Sequence, residues 1–209
     1  MQRLNPVVWA VLLLLLVTCC IRLSAVLLRQ TDSGQDVTKI IGEEMQYFPV
    51  PQSLCDTGHW SVTYTDSYEM PRTYGGNRVH EGCDIMAGVN KRGHYPVIST
   101  SDGYVEKTGW LKLGGYRIGI RSPGGIYFYY AHLNDYAKDF QPGEPVLAGQ
   151  LLGFMGDTGY GETEGTRGLF PVHLHFGIYV TDDTGTEKSI NPYPYLSDVA
   201  DRRLKYAYE

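Results

Sequence analysis

The chain has 209 residues, six histidines, four cysteines and a formal net charge of -5. Without a basic run, that balance argues against nucleic acid as a partner, because such binding needs clustered Lys and Arg. The length accommodates one modest domain of about 150 residues beside an N-terminal apolar segment.

Val7 to Ile21 is an apolar run of 15 residues, Arg22 interrupts it, and Leu23 to Leu28 extends it. Together these 22 positions are long enough to span a bilayer when Arg22 snorkels toward the headgroups. Residues 1–29 therefore read as an uncleaved signal anchor, making a single-pass membrane protein with its folded domain outside the cytoplasm. A cleaved signal peptide, giving a secreted protein, is the competing reading, but Thr18-Cys19-Cys20 before Arg22 makes a poor cleavage site. Lipid attachment at Cys19 or Cys20 is disfavoured by the residues before them. Arg3 lies on one side of the run and Arg22 and Arg29 on the other, so charge does not fix the orientation.

Residues 30–46 are polar and lack an apolar period, so they read as a linker, although Val37 to Met45 suits a short helix. Tyr47-Phe48-Pro49-Val50-Pro51 opens the ordered domain, expected over 47–196. Strand-like runs recur at His94 to Ser99, Gly103 to Thr108, Tyr116 to Arg121, Ile126 to Leu133, Pro145 to Ala148, Leu151 to Gly156 and Val172 to Val180. Gly124-Gly125 between two of them is a hairpin signal. Short strands at this spacing predict an all-β fold, an antiparallel sheet, barrel or sandwich. Tyr160 to Phe170 reads as a long polar loop over the site, Asp135 to Gln141 as a second loop, and residues 197–209 as a tail, either a short helix or loose.

Cys19 and Cys20 belong to the apolar segment, which leaves Cys55 and Cys83 in the exported part. An even count in an oxidising compartment reads as one disulfide. The alternatives are two free thiols, or Cys83 as a metal ligand. The last ranks lowest, because strand alternation turns Cys83 away from Asp84.

Chemistry concentrates in His80-Glu81-Gly82-Cys83-Asp84 and His173-Leu174-His175. Residues two or four apart on an extended strand share a face, so His173 projects with His175, and His80 with Asp84. The H-E-x-x-H zinc helix does not apply: its fifth position here is Asp84, and Gly82 disfavours a helix interior. Three ligands of His, His and Asp type leave a coordination position for water, as catalytic zinc sites do. His59 and His94, in turn-like polar surroundings, read as ordinary structural histidines. The glycine-rich stretches match no phosphate-binding pattern and read as turns.

At these residues the chain resembles the lysostaphin and LytM type of zinc metalloendopeptidases. The resemblance runs over Tyr74 to Val180. It is carried by His80-x-x-x-Asp84, Tyr130-Ala131-His132-Leu133, the stretch from Gly149-Gln150-Leu151-Leu152-Gly153 to Gly156-Asp157-Thr158-Gly159, and His173-Leu174-His175-Phe176. It implies a duplicated-hybrid-motif β fold with long active-site loops, one Zn²⁺ held by His80, Asp84 and His175, catalytic roles for His132 and His173, and a substrate-contacting Tyr74. Cys83 departs from the residues usual at its position. The activity implied is hydrolysis of peptide bonds in peptidoglycan stem peptides or cross-bridges, by a monomer with peptidoglycan as its partner. Two rivals are a non-catalytic scaffold or amidase activator, which would have lost ligands, and a zinc D,D- or L,D-carboxypeptidase. The latter uses a longer His to Asp spacing and an acidic residue before its last histidine, where this chain has Val172-His173-Leu174-His175.

Overall fold

The computed structural model describes residues 37–55, 61–74 and 76–208. The apolar run at 7–28, the first part of the linker and His59 lie outside the described residues. Among the described residues no helix is long and apolar enough to cross a membrane.

Short stretches of alternating apolar and polar residues here make strands. After helix α1 (37–44) come β1 (Gln52–Ser53), β2 (Thr63–Tyr64), β3 (Pro71–Arg72), β4 (Arg78–Val79) and β5 (Cys83–Met86). The longer strands follow, with β6 (Pro96–Ile98), β7 (Gly103–Leu111), β8 (Gly115–Arg121), β9 (Tyr127–Tyr136), β10 (Pro145–Val146), β11 (Leu151–Met155) and β12 (His173–Thr181). β13 (Glu187–Ile190), α2 (Tyr193–Asp198) and β14 (Lys205–Tyr206) complete the order. A ten-stranded sheet runs β10-β7-β8-β9-β12-β5-β2, with β11 pairing β6 and β9, and β13 pairing β12. Its pairings are antiparallel, so the expected all-β class holds. Gly124-Gly125 forms the β8–β9 turn; Gly125 takes φ +87, and its N–H donates to the Ser122 carbonyl.

Alternation sorts each long strand into two faces. Leu174, Phe176 and Ile178 of β12, Phe128 and Tyr130 of β9, Ile118 and Ile120 of β8, and Cys83 and Ile85 of β5 are completely buried. Phe176 stacks 6.3 Å from Phe128 and meets Tyr130 edge-on at 5.4 Å. The Tyr130 hydroxyl accepts from the Thr100 amide at 2.8 Å, which satisfies its polar tip inside the core. The intervening residues, His173, His175 and Tyr179 on β12, Tyr127 and Tyr129 on β9, and Asp84 on β5, point to the other side of the sheet.

Four expectations are corrected. Ile41 and Met45, in the segment read as linker, are buried: four residues apart on one helical face, they extend the core before residue 47. Glu44 then accepts from the Gly124 amide at 2.6 Å, fixing this segment to the β8–β9 turn. The C-terminal tail is docked rather than loose, since β14 pairs in parallel with β1. His94 is buried, edge-on to Tyr95 at 4.6 Å and Tyr208 at 5.5 Å, in an aromatic rather than polar setting.

The fourth correction concerns the disulfide. Cys55 and Cys83 are both free thiols, the first exposed and the second buried. Cys83 belongs to the core-facing set of β5, where its Sγ donates to the Thr65 carbonyl at 3.2 Å. Burial, then the negative charge of Asp84, pushes this thiol up to about 12, so it stays protonated.

Candidate active site

Antiparallel pairing of β12 with β5 sets His175 directly opposite Asp84, which puts both side chains on the same face of the sheet. His80 enters from the end of β4. Its backbone is pinned on both sides, the N–H donating to the Met70 carbonyl at 3.0 Å and the carbonyl accepting from Glu69 at 2.8 Å. His80 Nε2, His175 Nδ1 and Asp84 Oδ1 close a triangle with sides of 2.8, 3.0 and 3.2 Å. Ligand atoms around tetrahedral Zn²⁺ stand about 3.3 Å apart, so this donor set fits one small divalent ion.

The surroundings prepare each donor. His80 Nδ1–H donates to the Ser67 carbonyl at 2.8 Å, which leaves the Nε2 lone pair facing the triangle. Asp84 turns Oδ1 inward while Oδ2 accepts from Arg72. Burial disfavours its ionisation, but the imidazoles of His175 and His80 set against it outweigh that and hold the carboxyl far below the usual carboxylate range. Burial pushes His175 down, keeping the neutral imidazole a ligand requires. Gly82 permits the close approach of β12: a Cβ there would sit 2.6 Å from the His175 ring and from the Phe176 carbonyl.

His173 projects on the same side as His175, with Nε2 3.8 Å from Asp84 Oδ1 and Nδ1–H donating to the Pro171 carbonyl at 2.8 Å. His132 arrives differently. Alternation from Tyr130 would send it into the core, but the register between β8 and β9 slips here, between the pairs Tyr116–Leu133 and Ile118–Tyr130, and His132 adopts φ +62. This bulge re-aims the side chain, so its ring lies 4.7 Å from His173 and 6.0 Å from His175. Its Nδ1–H donates to the Thr158 carbonyl at 2.7 Å. The neighbouring Asp157 is buried and takes a two-pronged contact from Arg92, at 2.6 and 2.8 Å, which fastens the segment that orients His132. Burial, then the imidazoles of His173 and His175, holds His132 well below its ordinary value, and burial lowers His173 too.

The Tyr160 to Phe170 loop covers these histidines, with Phe170 4.7 Å from His132 and 5.1 Å from His173. Tyr74, in the β3–β4 turn, stands at the rim: its ring stacks on Tyr160 at 4.5 Å and its hydroxyl donates to the Tyr160 carbonyl. A cleft of about 490 Å³ starts at His80, Asp84, His132 and His175 and continues over the tyrosine-lined floor of β9 and β12. Tyr127 lies across Gly119 of β8, occupying the space where a Cβ would begin. Thus five residues singled out in the sequence, His80, Asp84, His132, His173 and His175, come together. Tyr74 lies at their edge, and Cys55 and Cys83 stay apart. Arg72, Ser67 and the cleft floor were not anticipated; the one sequence signal was a glycine inside the ligand spacing.

Residues 78–192 match Peptidase family M23. The chain is 47% identical over 136 residues to the L-Ala--D-Glu endopeptidase of Bacillus subtilis, a match covering 64% of this chain and 39% of that protein. The crystal structure of a candidate glycyl-glycine endopeptidase LytM from Ruminococcus gnavus is 55% identical with a TM-score of 0.74, covering 81% of this chain and 66% of that one. The catalytic domain of lysostaphin from Staphylococcus simulans is 28% identical with a TM-score of 0.50, covering 66% and 92%. The chain therefore spans well under half the length of the Bacillus relative. The matched residues run from β4 through β13 and contain all five clustered His and Asp side chains, and the chain belongs to peptidase family M23.

Proposed function

We propose that this chain is an exported zinc metalloendopeptidase that hydrolyses peptide bonds of peptidoglycan stem peptides or cross-bridges. The observation that carries the reading is the His80–Asp84–His175 triangle flanked by two imidazoles whose outer nitrogens are already committed to carbonyls. Bound among those ligands, Zn²⁺ would supply Lewis-acid polarisation of a peptide carbonyl and a more acidic water. With Nδ1–H tied to Thr158, His132 keeps Nε2 as a lone pair, and His173, tied to Pro171, does the same. A neutral imidazole so oriented accepts a proton from attacking water and returns it to the departing amine; once protonated, it donates to the developing oxyanion. No glutamate of the H-E-x-x-H kind is needed for that work. The Tyr160 to Phe170 loop and the ring of Tyr74 exclude water from above and offer the substrate a wall. In this reading the peptidase domain, expected over 47–196, also takes in Ile41, Met45 and β14, and residues 1–29 hold it at the membrane or direct its export.

Purified protein incubated with cell-wall sacculi should release new amino termini. His173→Ala should lower that release about 10²- to 10⁴-fold while zinc, measured by elemental analysis, is retained. Equal release by the variant overturns the role of His173, and release of single amino acids alone overturns the endopeptidase.

A further inference from the structure

The cleft holds three cations besides its histidines, and two of them are already engaged. Arg78 donates to the Tyr74 carbonyl and the Tyr160 hydroxyl, at 3.1 and 3.2 Å. Lys107 lies 3.6 Å from Glu106 and 3.8 Å from Glu187. Arg117 differs. Among the described residues its guanidinium has no carboxylate partner, and Nη1 is buried with no hydrogen-bond acceptor. A buried donor left unmade is costly, and in a native fold it calls for an explanation.

Its place in the sheet supplies one. His175 pairs with Ala131 of β9, and Arg117 on β8 falls between the pairings Tyr116 with Leu133 and Ile118 with Tyr130. The two residues are thus nearly level across the sheet, separated only by β9, or roughly 10 Å of backbone. Arg117 and His175 line the same cleft; the β9 residue at their level is the small Ala131, and Tyr129, the next residue on that face, meets His175 edge-on at 5.8 Å. A peptide lying across these strands with its scissile bond at the triangle would carry its next residue over β9 toward the guanidinium.

We propose that Arg117 is a specificity-determining residue that binds the free carboxylate of an acidic residue beside the scissile bond, so that the cleft takes an anionic stem peptide rather than an uncharged glycine bridge. The planar fork of a guanidinium matches a carboxylate in two parallel hydrogen bonds, and such a ligand in the cleft that Arg117 lines would give the group its missing partner. The inference rests on the peptidase reading above and refines it: the relatives named for L-Ala--D-Glu and for glycyl-glycine bonds differ in whether the substrate carries such a group.

The test compares kcat/KM of the zinc-loaded full chain on two synthetic stem peptides, one with an L-Ala–D-Glu bond and a free glutamate carboxylate, the other with that carboxylate converted to the carboxamide. The wild type should prefer the acid about 10- to 100-fold, as expected for a charge-assisted pair. Arg117→Gln should bring the acid-to-amide ratio to about 1, and Arg117→Lys should fall between, keeping charge without the fork. Because the ratio is taken within one preparation, loss of folded enzyme cancels. A wild-type ratio near 1, or an unchanged ratio in Arg117→Gln, refutes the anchor and leaves the peptidase standing. If the wild type cuts neither peptide and releases nothing from sacculi, the peptidase reading falls and the anchor falls with it. Cleavage of pentaglycine in preference to both peptides also overturns the anchor.

Discussion

The two faces of β12 obey different rules although they alternate residue by residue. On one face Leu174, Phe176 and Ile178 fill a core in which any apolar group of the right volume serves. On the other, His173 and His175 must present particular nitrogens to particular atoms, and the register with Asp84 and the hydrogen bonds to backbone carbonyls secure this. The core face therefore answers to volume and the cleft face to chemistry.

Substitutions on each face should separate the two rules. The largest effect is expected from Asp84→Ala, which removes the only carboxylate of the triangle. Bound metal should fall from about one ion per chain to near none, with activity at background, while the urea midpoint of the metal-free protein stays near that of metal-free wild type. Retention of stoichiometric zinc would contradict the ligand assignment. Phe176→Ala should cost about 3–5 kcal/mol in urea denaturation, because the cavity among Phe128 and Tyr130 cannot collapse fully. Activity per folded molecule should survive it, and a selective loss of activity would blur the division between faces. The smallest effect belongs to Arg72→Gln, which touches Asp84 only through Oδ2. Zinc affinity, measured by competition with a chelator, should weaken about 10- to 100-fold. An unchanged affinity would show that Asp84 needs no help from outside the triangle.

The sequence made the period-2 relations legible and little beyond them. His173 with His175 could be paired from spacing, because side-chain alternation along β12 is local, whereas His80 meets Asp84 across a bend at Gly82 and not along an extended strand. Arg72 and Ser67 could not be attached to the site, since their contacts depend on hairpins and turns that fold over it. His132 is the instructive case. Its family motif marked it, yet plain alternation from Tyr130 points it into the core, and only the bulge against β8, with φ +62, brings it to the histidine cluster. Counting cysteines failed for a related reason: parity carries no direction, and the strand that presents Asp84 to the cleft turns Cys83 inward, away from the exposed Cys55. The short helix expected at Val37 to Met45 is there over 37–44, but that Ile41 and Met45 dock on the core, and that two residues near the C-terminus form a strand, was not legible, because both signals are too short to register as a periodic pattern.

The ring of Tyr127 rests where any side chain at residue 119 would start. A chain with even a methyl group at that place would have to lift the ring off the sheet and into the space above it, making the channel shallower while the histidines, the aspartate and their supporting carbonyls kept their positions. The depth of the substrate's bed is thus decided by a residue that contributes no atom of its own to it, and this dimension can change through evolution independently of the chemistry performed at its end.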